Sequence, residues 1–334
     1  LLLLVNPILQ VMSTPQEAVA GTRIYLTICF VGIPFIIAYN VISSIFRGLG
    51  DSKSPMYFIA IACVINIALD YLFMGAFHMG AAGAALGTTL SQAVSVVISL
   101  FMIRKKKMGI ALKKQNLRPK RRVMGQILNI GVPVALQDGF IQIAFLVITI
   151  IANRRGLNQA AAVGIVEKII SFLFLVPSSM LSSVSALAAQ NIGAGKKSRA
   201  WKGFYTAIIT GCSVGIIIFM VGFFGGGVLS SFFTNDSEVI AQSAAYLKGF
   251  SADCILTCVL FSSIGYFNGC GKSIPVMIQG ITSAFCIRIP VSIIMSRLPE
   301  TSLTYVGMAT PITTVYGIIF FVICFRLLNK NSAK

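Results

Sequence analysis

Long apolar stretches recur along the whole chain, and they constrain the fold more than any other feature of the sequence. Each is about as long as a helix that crosses the hydrocarbon core of a bilayer, which needs roughly 20 apolar residues. Gly, Pro or charged residues separate them, so that nine predicted spans follow a shorter apolar segment at 1–12: 24–46, 56–77, 82–103, 127–152, 160–190, 204–224, 241–267, 274–295 and 305–328. Because these stretches are continuous and not alternating, they do not fit a membrane β-barrel. The sequence therefore predicts an all-α polytopic membrane protein.

The charge content agrees with this prediction. Only 11% of the 334 residues are charged, whereas an ordinary soluble domain has roughly 25%. So few charged side chains cannot cover the surface of a soluble protein of this length. A soluble enzyme, a disordered chain and a coiled coil are thereby excluded as classes, and the lipid bilayer is the expected surrounding of the protein.

Basic residues are concentrated in the loops between the predicted spans. The chain has 27 Lys and Arg against 9 Asp and Glu, and ten of the basic residues lie between Arg104 and Arg122. Loops rich in Lys and Arg remain in the cytoplasm. The pattern predicts a multi-pass protein of the cell membrane whose 104–122 loop and C-terminus are cytoplasmic. It does not predict a nucleic-acid partner, because the basic residues follow the loops and do not form one face.

The chain also repeats itself at an offset of 221 residues. Nine residues between positions 17 and 56 are identical to the residues 221 positions later, where chance would give about three. The matching residues of the first copy are Glu17, Ala20, Tyr25, Leu26, Phe46, Gly48, Gly50, Ser52 and Met56. Parallel repeats of this kind are typical of secondary transporters.

The repeat predicts two parallel six-helix bundles. We assign 1–103 to an N-terminal lobe, 104–126 to a basic cytoplasmic linker and 127–334 to a C-terminal lobe. The second lobe supplies three spans ahead of its copy of the repeat, whereas the first supplies only the segment 1–12. We therefore expect about a hundred further residues, with about two and a half helices, to precede Leu1.

One carboxylate lies in the middle of an apolar span. Asp70 falls within 56–77, and Asn66 precedes it by one helical turn on the same face. An ionisable side chain inside a span is a functional candidate by default. A carboxylate beside an amide oxygen suits a proton or Na⁺. A pair that only hydrogen-bonds neighbouring helices is the alternative.

The second half has its own polar residues in or near spans. Asp138 and Gln142 are one turn apart, just after the Gly-Val-Pro at 131–133. Asp253 and Arg288 are further buried candidates, and they could pair with each other or line a substrate path. Gln137 completes the set of candidate cleft residues.

Several short motifs together resemble one transporter family. The segments are RGLGDSKSPM at 47–56, NIALD at 66–70 and MGAAGAALGT at 79–88 in the first half, and GVP at 131–133, AQNIGAG at 189–195 and NGCG at 268–271 in the second. Their order and spacing resemble those of the multidrug and toxic compound extrusion (MATE) transporters, and more closely the DinF-like branch. The similarity covers essentially the whole chain.

The resemblance implies a monomeric antiporter with two bundles around a central cleft. Such proteins expel small-molecule drugs, often organic cations, in exchange for protons or sodium ions, and the coupling ion takes the place of a cofactor. Asn66, Asp70 and Thr88 match three of the four residues of the first-lobe cation site. Another branch has a Glu on its seventh helix, and the corresponding stretch here, 137–142, contains no Glu.

Two other transport functions compete with efflux. A flippase for lipid-linked sugars usually concentrates basic residues in its cleft, whereas the in-span charges here are mainly acidic, which favours cationic cargo. A passive channel fits the two-fold repeat with buried carboxylates less well. No catalytic site and no metal site is expected, because the cysteines are scattered, one histidine is present, and the P-loop-like segment at 269–273 lacks the first Gly and a preceding strand.

Overall fold

The computed structural model describes residues 2–11, 16–105, 120–153, 157–297 and 303–332, which are almost entirely helical. A 3₁₀ turn at Leu2–Leu4 is followed by thirteen α-helices. The helices are α1 Val5–Val11, α2 Gln16–Gly48, α3 Lys53–Asp70, α4 Gly80–Lys105, α5 Arg121–Asn153, α6 Leu157–Leu173, α7 Leu175–Gly193, α8 Lys197–Ser231, α9 Ser237–Phe250, α10 Asp253–Gly269, α11 Ser273–Thr282, α12 Ile289–Arg297 and α13 Leu303–Ser332. Two π-helical segments continue α3 and α11, at Tyr71–Ala76 and Ser283–Arg288.

The helices confirm the predicted all-α membrane class. Among the described residues, eight helical stretches are long and apolar enough to cross a membrane, and the bent pair α9–α10 is a ninth. Each predicted span falls on one of them, but the helices extend several residues beyond the apolar core at most ends. The extra turns are rich in polar and small residues, which apolar periodicity does not report.

The chain divides into two compact units, Leu1–Arg118 and Pro119–Lys334. Their boundary falls inside the predicted linker 104–126, most of which lies outside the described residues. Helix α5 already begins at Arg121, within the C-terminal part of that predicted linker.

In the N-terminal unit, α2 and α3 both pack on α4. The core of this packing is the ring of Phe46 on α2 set edge-on against that of Phe58 on α3, with centroids 5.4 Å apart. Ser95 on α4 donates a hydrogen bond to the Phe58 carbonyl at 3.4 Å. In a bilayer, small and hydroxylated residues at a helix interface allow this close approach.

The C-terminal unit is built around α10, which packs on both α7 and α8, while α9 packs on α13 and α5 on α11. Helices α9 and α10 meet at an angle of 47°. Close packing depends on glycines: a Cβ on Gly215 would lie 2.9 Å from the Cys254 carbonyl oxygen, and one on Gly265 would lie 2.5 Å from that of Leu181. Gly211 and Gly215 of α8 thus permit close contact with α10.

Three helix ends share one backbone turn, which closes α2, α7 and α10. In each, the last N–H of the turn donates to the carbonyl five residues earlier, from Asp51 to Phe46 at 2.9 Å, from Lys196 to Asn191 at 2.8 Å and from Lys272 to Phe267 at 2.9 Å. The residue before that N–H is a glycine with positive φ, of 88°, 75° and 72° at Gly50, Gly195 and Gly271. This is the Schellman arrangement, in which glycine adopts the left-handed conformation without a Cβ clash.

Candidate functional site

The predicted pair on α3 is assembled against a glycine of α4. The Asn66 amide Nδ2 lies 3.4 Å from Asp70 Oδ1, at the long end of a hydrogen bond. A Cβ placed on Gly87 would collide with that same Oδ1 and would lie 3.4 Å from Asn66 Nδ2. Both side chains of the pair are half-buried. Glycine at position 87 therefore makes the room in which the carboxylate sits.

The helix changes form directly after this carboxylate. Asp70 is the last residue of α3, and the π-helical segment begins at Tyr71. Single π-helical turns inside α-helices occur frequently at functional sites. Tyr25 of α2 lies close enough to Asp70 for the two groups to interact electrostatically. Three helices of the N-terminal unit thus contribute to the surroundings of the carboxylate.

Chemically, this arrangement offers one anionic group and one neutral amide in a helix that is otherwise apolar. Such a group can hold a proton or a monovalent cation. The described residues contain no group of three or more His, Cys, Asp or Glu side chains that could hold a metal ion.

A second polar site lies inside the C-terminal unit, in a cavity of about 330 Å³. Helices α5, α7, α10, α11 and α13 and the second π-helical segment contribute to its lining. Ligand cavities in proteins occupy roughly 300–1,000 Å³ and are mostly apolar with a few polar groups. This cavity fits that description, because aromatic and aliphatic walls surround one carboxylate and one guanidinium that are both deep in the helix bundle.

Asp253 is the most completely buried charged side chain of this cavity, with 0% of its surface exposed. Its Oδ2 accepts a hydrogen bond of 2.7 Å from Thr257, one turn later on α10. Its Oδ1 has no hydrogen-bond partner among the described residues. Thr314 of α13 lies beside the same carboxylate. The bend between α9 and α10 places Asp253 at the first position of its helix, inside the unit and not at its surface.

Arg288 lines the same cavity. It is the last residue of the second π-helical segment, and its guanidinium carbon lies 4.7 Å from the centre of the Phe145 ring. A guanidinium above an aromatic face is attracted by the ring's quadrupole. Its Nε is buried and has no hydrogen-bond partner within the described part of the chain.

A comparison with protein-family models matches this chain to the family described as MatE, over residues 1–72 and 133–294. The match includes Asp70 and Asn66 in the first segment and Asp253 and Arg288 in the second. The chain belongs to the MATE family.

Similar proteins agree with this assignment. Over 290 residues, this MATE chain is 30% identical to a probable multidrug resistance protein, YpnP, of Bacillus subtilis (strain 168), with 86% of the chain and 64% of YpnP covered. It is 25% identical to the multidrug export protein MepA of Staphylococcus aureus (strain N315), covering 88% of the chain and 64% of MepA. The chain thus spans a little less than two thirds of the length of these relatives.

Solved structures share the fold. A crystal structure of MATE in complex with MaL6 matches all of this chain and 75% of its own, with a TM-score of 0.92 and 19% identity. An outward-facing multidrug resistance MATE family transporter of the MOP superfamily matches 98% of the chain and 74% of its own length, with a TM-score of 0.90 and 19% identity. At this level of identity the likeness concerns the fold alone.

The structure does not bring all of the predicted site residues together. Thr88 is exposed and its hydroxyl donates to the Ala84 carbonyl of its own helix at 3.0 Å. Gly87, which directly precedes Thr88 in α4, is the residue that meets the Asp70 carboxylate. Nothing in the sequence distinguishes Gly87, which faces the carboxylate, from the neighbouring glycine at position 83.

Four of the five candidate cleft residues line the one cavity: Gln137, Asp138, Asp253 and Arg288. Gln142 is exposed and does not line it. Sequence reasoning missed the hydroxyl groups around Asp253. Thr257 could have been found, because it follows Asp253 by four positions and therefore shares its helix face.

Proposed function

We propose that this MATE protein is a secondary active exporter of organic compounds, often cationic, driven by protons or sodium ions that enter the cell. The observation that carries the proposal is the Asn66–Asp70 pair, a carboxylate and an amide in the middle of an apolar span, with Gly87 leaving the space for them. A membrane-embedded acid of this kind is the usual location of a transported proton or cation.

The relatives support the transport function. YpnP is named a probable multidrug resistance protein and MepA a multidrug export protein. Among the charged residues that line the cavity of the C-terminal unit, two are acidic and one is basic. This balance is consistent with cargo that carries positive charge. The cavity is the cargo site of the proposal, and the Asn66–Asp70 pair is the coupling site.

The exchange of cargo for ions follows if the coupling site and the cargo site are occupied in different conformations of the protein. From outside, a proton or Na⁺ binds at Asp70 and neutralises the only carboxylate on its helix, which stabilises the state that releases cargo. From inside, loss of that ion restores the charged carboxylate and the state that binds cargo. Coupling of this kind requires only that each ligand prefers one of two conformations.

Orientation and assembly belong to the same proposal. The 104–122 loop and the C-terminus face the cytoplasm, because the basic residues are concentrated there. The protein works as a monomer with an N-terminal lobe, a basic linker and a C-terminal lobe.

The test is Asp70→Asn in the whole product of the gene, reconstituted in proteoliposomes. The substitution keeps the size and hydrogen bonding of the side chain but removes its charge. Transport of ethidium driven by an imposed pH or Na⁺ gradient should fall by at least about tenfold, the effect of ~1.4 kcal/mol in the transport equilibrium, while ethidium binding persists. Asp236→Asn is the matched control, because that carboxylate caps α9 by accepting from the Glu238 N–H at 2.9 Å. Unchanged gradient dependence in Asp70→Asn would move the coupling site to Asp138 or Asp253.

A further inference from the structure

The C-terminal unit has a second concave site, a groove of about 280 Å³ between α8, α10 and α13. Among the described residues it shares no lining residue with the cavity that holds Asp253. Apart from Ser263 and Arg326, its lining consists of aromatic and aliphatic side chains. Trp201 and Val322 in this lining are 44% and 46% exposed. Because they lie on helices long and apolar enough to span a membrane, the groove is open to lipid.

One end of the groove is held by a rigid group of four aromatic rings. Every pair of their centroids lies 5.1–5.8 Å apart, within the range of favourable ring contacts. The rings are those of Trp201, Phe204, Tyr266 and Phe325. Trp201 lies one turn after Lys197, the first residue of α8. Since Trp and Tyr are enriched where helices leave the bilayer, this end of the groove lies at the level of the lipid headgroups.

From this end the groove runs into the apolar part of the bundle. On α13 its lining extends from Arg326 back to Ile318, which is about 12 Å at 1.5 Å per residue. The deep part is aliphatic, with Ile208 of α8 among its residues. The Ser263 hydroxyl already donates to the Val259 carbonyl of its own helix at 2.9 Å. A molecule in this part of the groove therefore has to be elongated and apolar.

The charge at the headgroup end is positive and is not balanced by a nearby acid. Arg326 lines the groove there, and both it and Lys202, the residue after Trp201, are exposed. The three helices of the groove carry one acidic residue, Asp253, at the opposite end of α10. A guanidinium is well suited to bind phosphate, and anionic headgroups are attracted to basic residues at the membrane surface. The groove thus complements a molecule that is apolar along its length and negative at one end.

We infer that this groove binds one anionic glycerophospholipid, with an acyl chain along the side of Ile208 and Ile318 and the phosphate at Arg326. A cationic cargo molecule would be repelled by the guanidinium. A zwitterionic lipid has the same chains, but its own positive group offsets the attraction. The inference does not depend on the export function. Only the assignment of the lipid to the cytoplasmic leaflet rests on the proposed orientation.

The experiment uses Trp201 as the reporter, because it lies in the groove itself. The product of the gene, with Trp201 as its only tryptophan, is reconstituted in vesicles of dioleoylphosphatidylcholine. Increasing fractions of phosphatidylglycerol or phosphatidylcholine with brominated acyl chains are added, and bromine quenches the indole on contact. Half-maximal quenching should need an about fivefold smaller fraction of the brominated phosphatidylglycerol, the effect of one basic residue near an anionic headgroup. Equal quenching by the two lipids would overturn the inference, and this comparison requires no further variant.

Two substitutions separate the groove from a general attraction of anionic lipids. Arg326→Gln should abolish the preference for phosphatidylglycerol. Arg47→Gln is the matched control and should retain it, because that side chain contacts the Ser44 hydroxyl of α2 at 3.1 Å and does not line the groove. Ile208→Phe fills the deep part without changing any charge and should also abolish the preference. If the preference survives in Arg326→Gln or in Ile208→Phe, the lipid is bound elsewhere and the inference is wrong.

Lipid binding and export are separable in this design. The vesicles have the same lipids in both leaflets and no ion gradient, so equal quenching would refute the lipid site and leave export and orientation as proposed. Conversely, loss of gradient-driven ethidium transport in Asp70→Asn has no bearing on the quenching of Trp201.

Discussion

Gly87→Ala tests the coupling site without touching a charged residue. Gly87 is buried on α4, and its new methyl group would occupy the position of Asp70 Oδ1. Carbon and oxygen atoms need roughly 3.5 Å between them. The carboxylate must therefore retreat by about 1 Å, and the Asn66–Asp70 distance of 3.4 Å leaves the hydrogen bond no margin for such a displacement.

The expected size of the effect on ion affinity follows from this displacement. A hydrogen bond to a charged group contributes about 1.5–3 kcal/mol, which corresponds to a change in ion affinity of ~10- to 150-fold at ~1.4 kcal/mol per factor of ten. Folding should change much less. Alanine is favoured over glycine inside a helix by ~1 kcal/mol, which offsets part of the ~1–3 kcal/mol that overpacking costs.

The assay is gradient-driven ethidium transport in proteoliposomes, measured over a series of Na⁺ and proton concentrations. The ion concentration that gives half-maximal transport should change at least about tenfold in Gly87→Ala. Gly32→Ala is the control, because its methyl group would clash at 2.7 Å with Thr89 on the same helix α4 but away from the carboxylate. The reasoning is refuted if both variants retain the ion dependence of the unsubstituted protein.

Three further outcomes follow from the structure. Thr257→Val removes the donor to Asp253 Oδ2 and should destabilise the protein by about 1–3 kcal/mol, seen as a lower unfolding temperature that Thr257→Ser largely restores. Gly265→Ala places a methyl group 2.5 Å from the Leu181 carbonyl oxygen. This should separate α10 from α7 and lower the yield of folded protein. Gly131→Ala is the control and should not lower the yield, because there is open space at its Cβ. In a background without the native cysteines, Ser198→Cys should resist a membrane-impermeant maleimide in intact cells and Asn235→Cys should react. The reverse labelling pattern would contradict the cytoplasmic assignment of the basic loops.

The apolar spans could be predicted because a bilayer requires helices of a certain length and hydrophobicity. Both are properties of one continuous stretch of sequence. Bends were harder to place. Pro34 and Pro133 lie inside helices that continue through them. The 47° bend lies between α9 and α10, at Ser251 and Ala252. Next to this bend, Gly249 of α9 lies directly against the backbone of Thr304 at the start of α13, a contact between segments that are far apart in the chain.

The candidate sites were predicted to a similar extent. Asp70 and Asn66 stand out because charge and amide lie one turn apart within one apolar run, and this relation is local. The positions of Gly87 and Phe145 depend on contacts between helices far apart in the chain. The π-helical segments after Asp70 and before Ile289 have no sequence signal that we recognise, because their local composition is that of an ordinary apolar helix.

The shared turn at the ends of α2, α7 and α10 has a consequence for how the two halves diverge. To the turn itself the closing residue contributes a backbone N–H, so Asp51, Lys196 and Lys272 occupy equivalent places despite opposite charges. The Asp51 carboxylate in addition accepts from the N–H and the hydroxyl of Ser54, at 3.0 and 2.7 Å. The direction of the chain at these turns depends on the glycine. It does not depend on whether the next residue is positively or negatively charged. A duplicated gene can therefore alter the charges that orient each half in the membrane, one codon at a time, while both halves keep the same path.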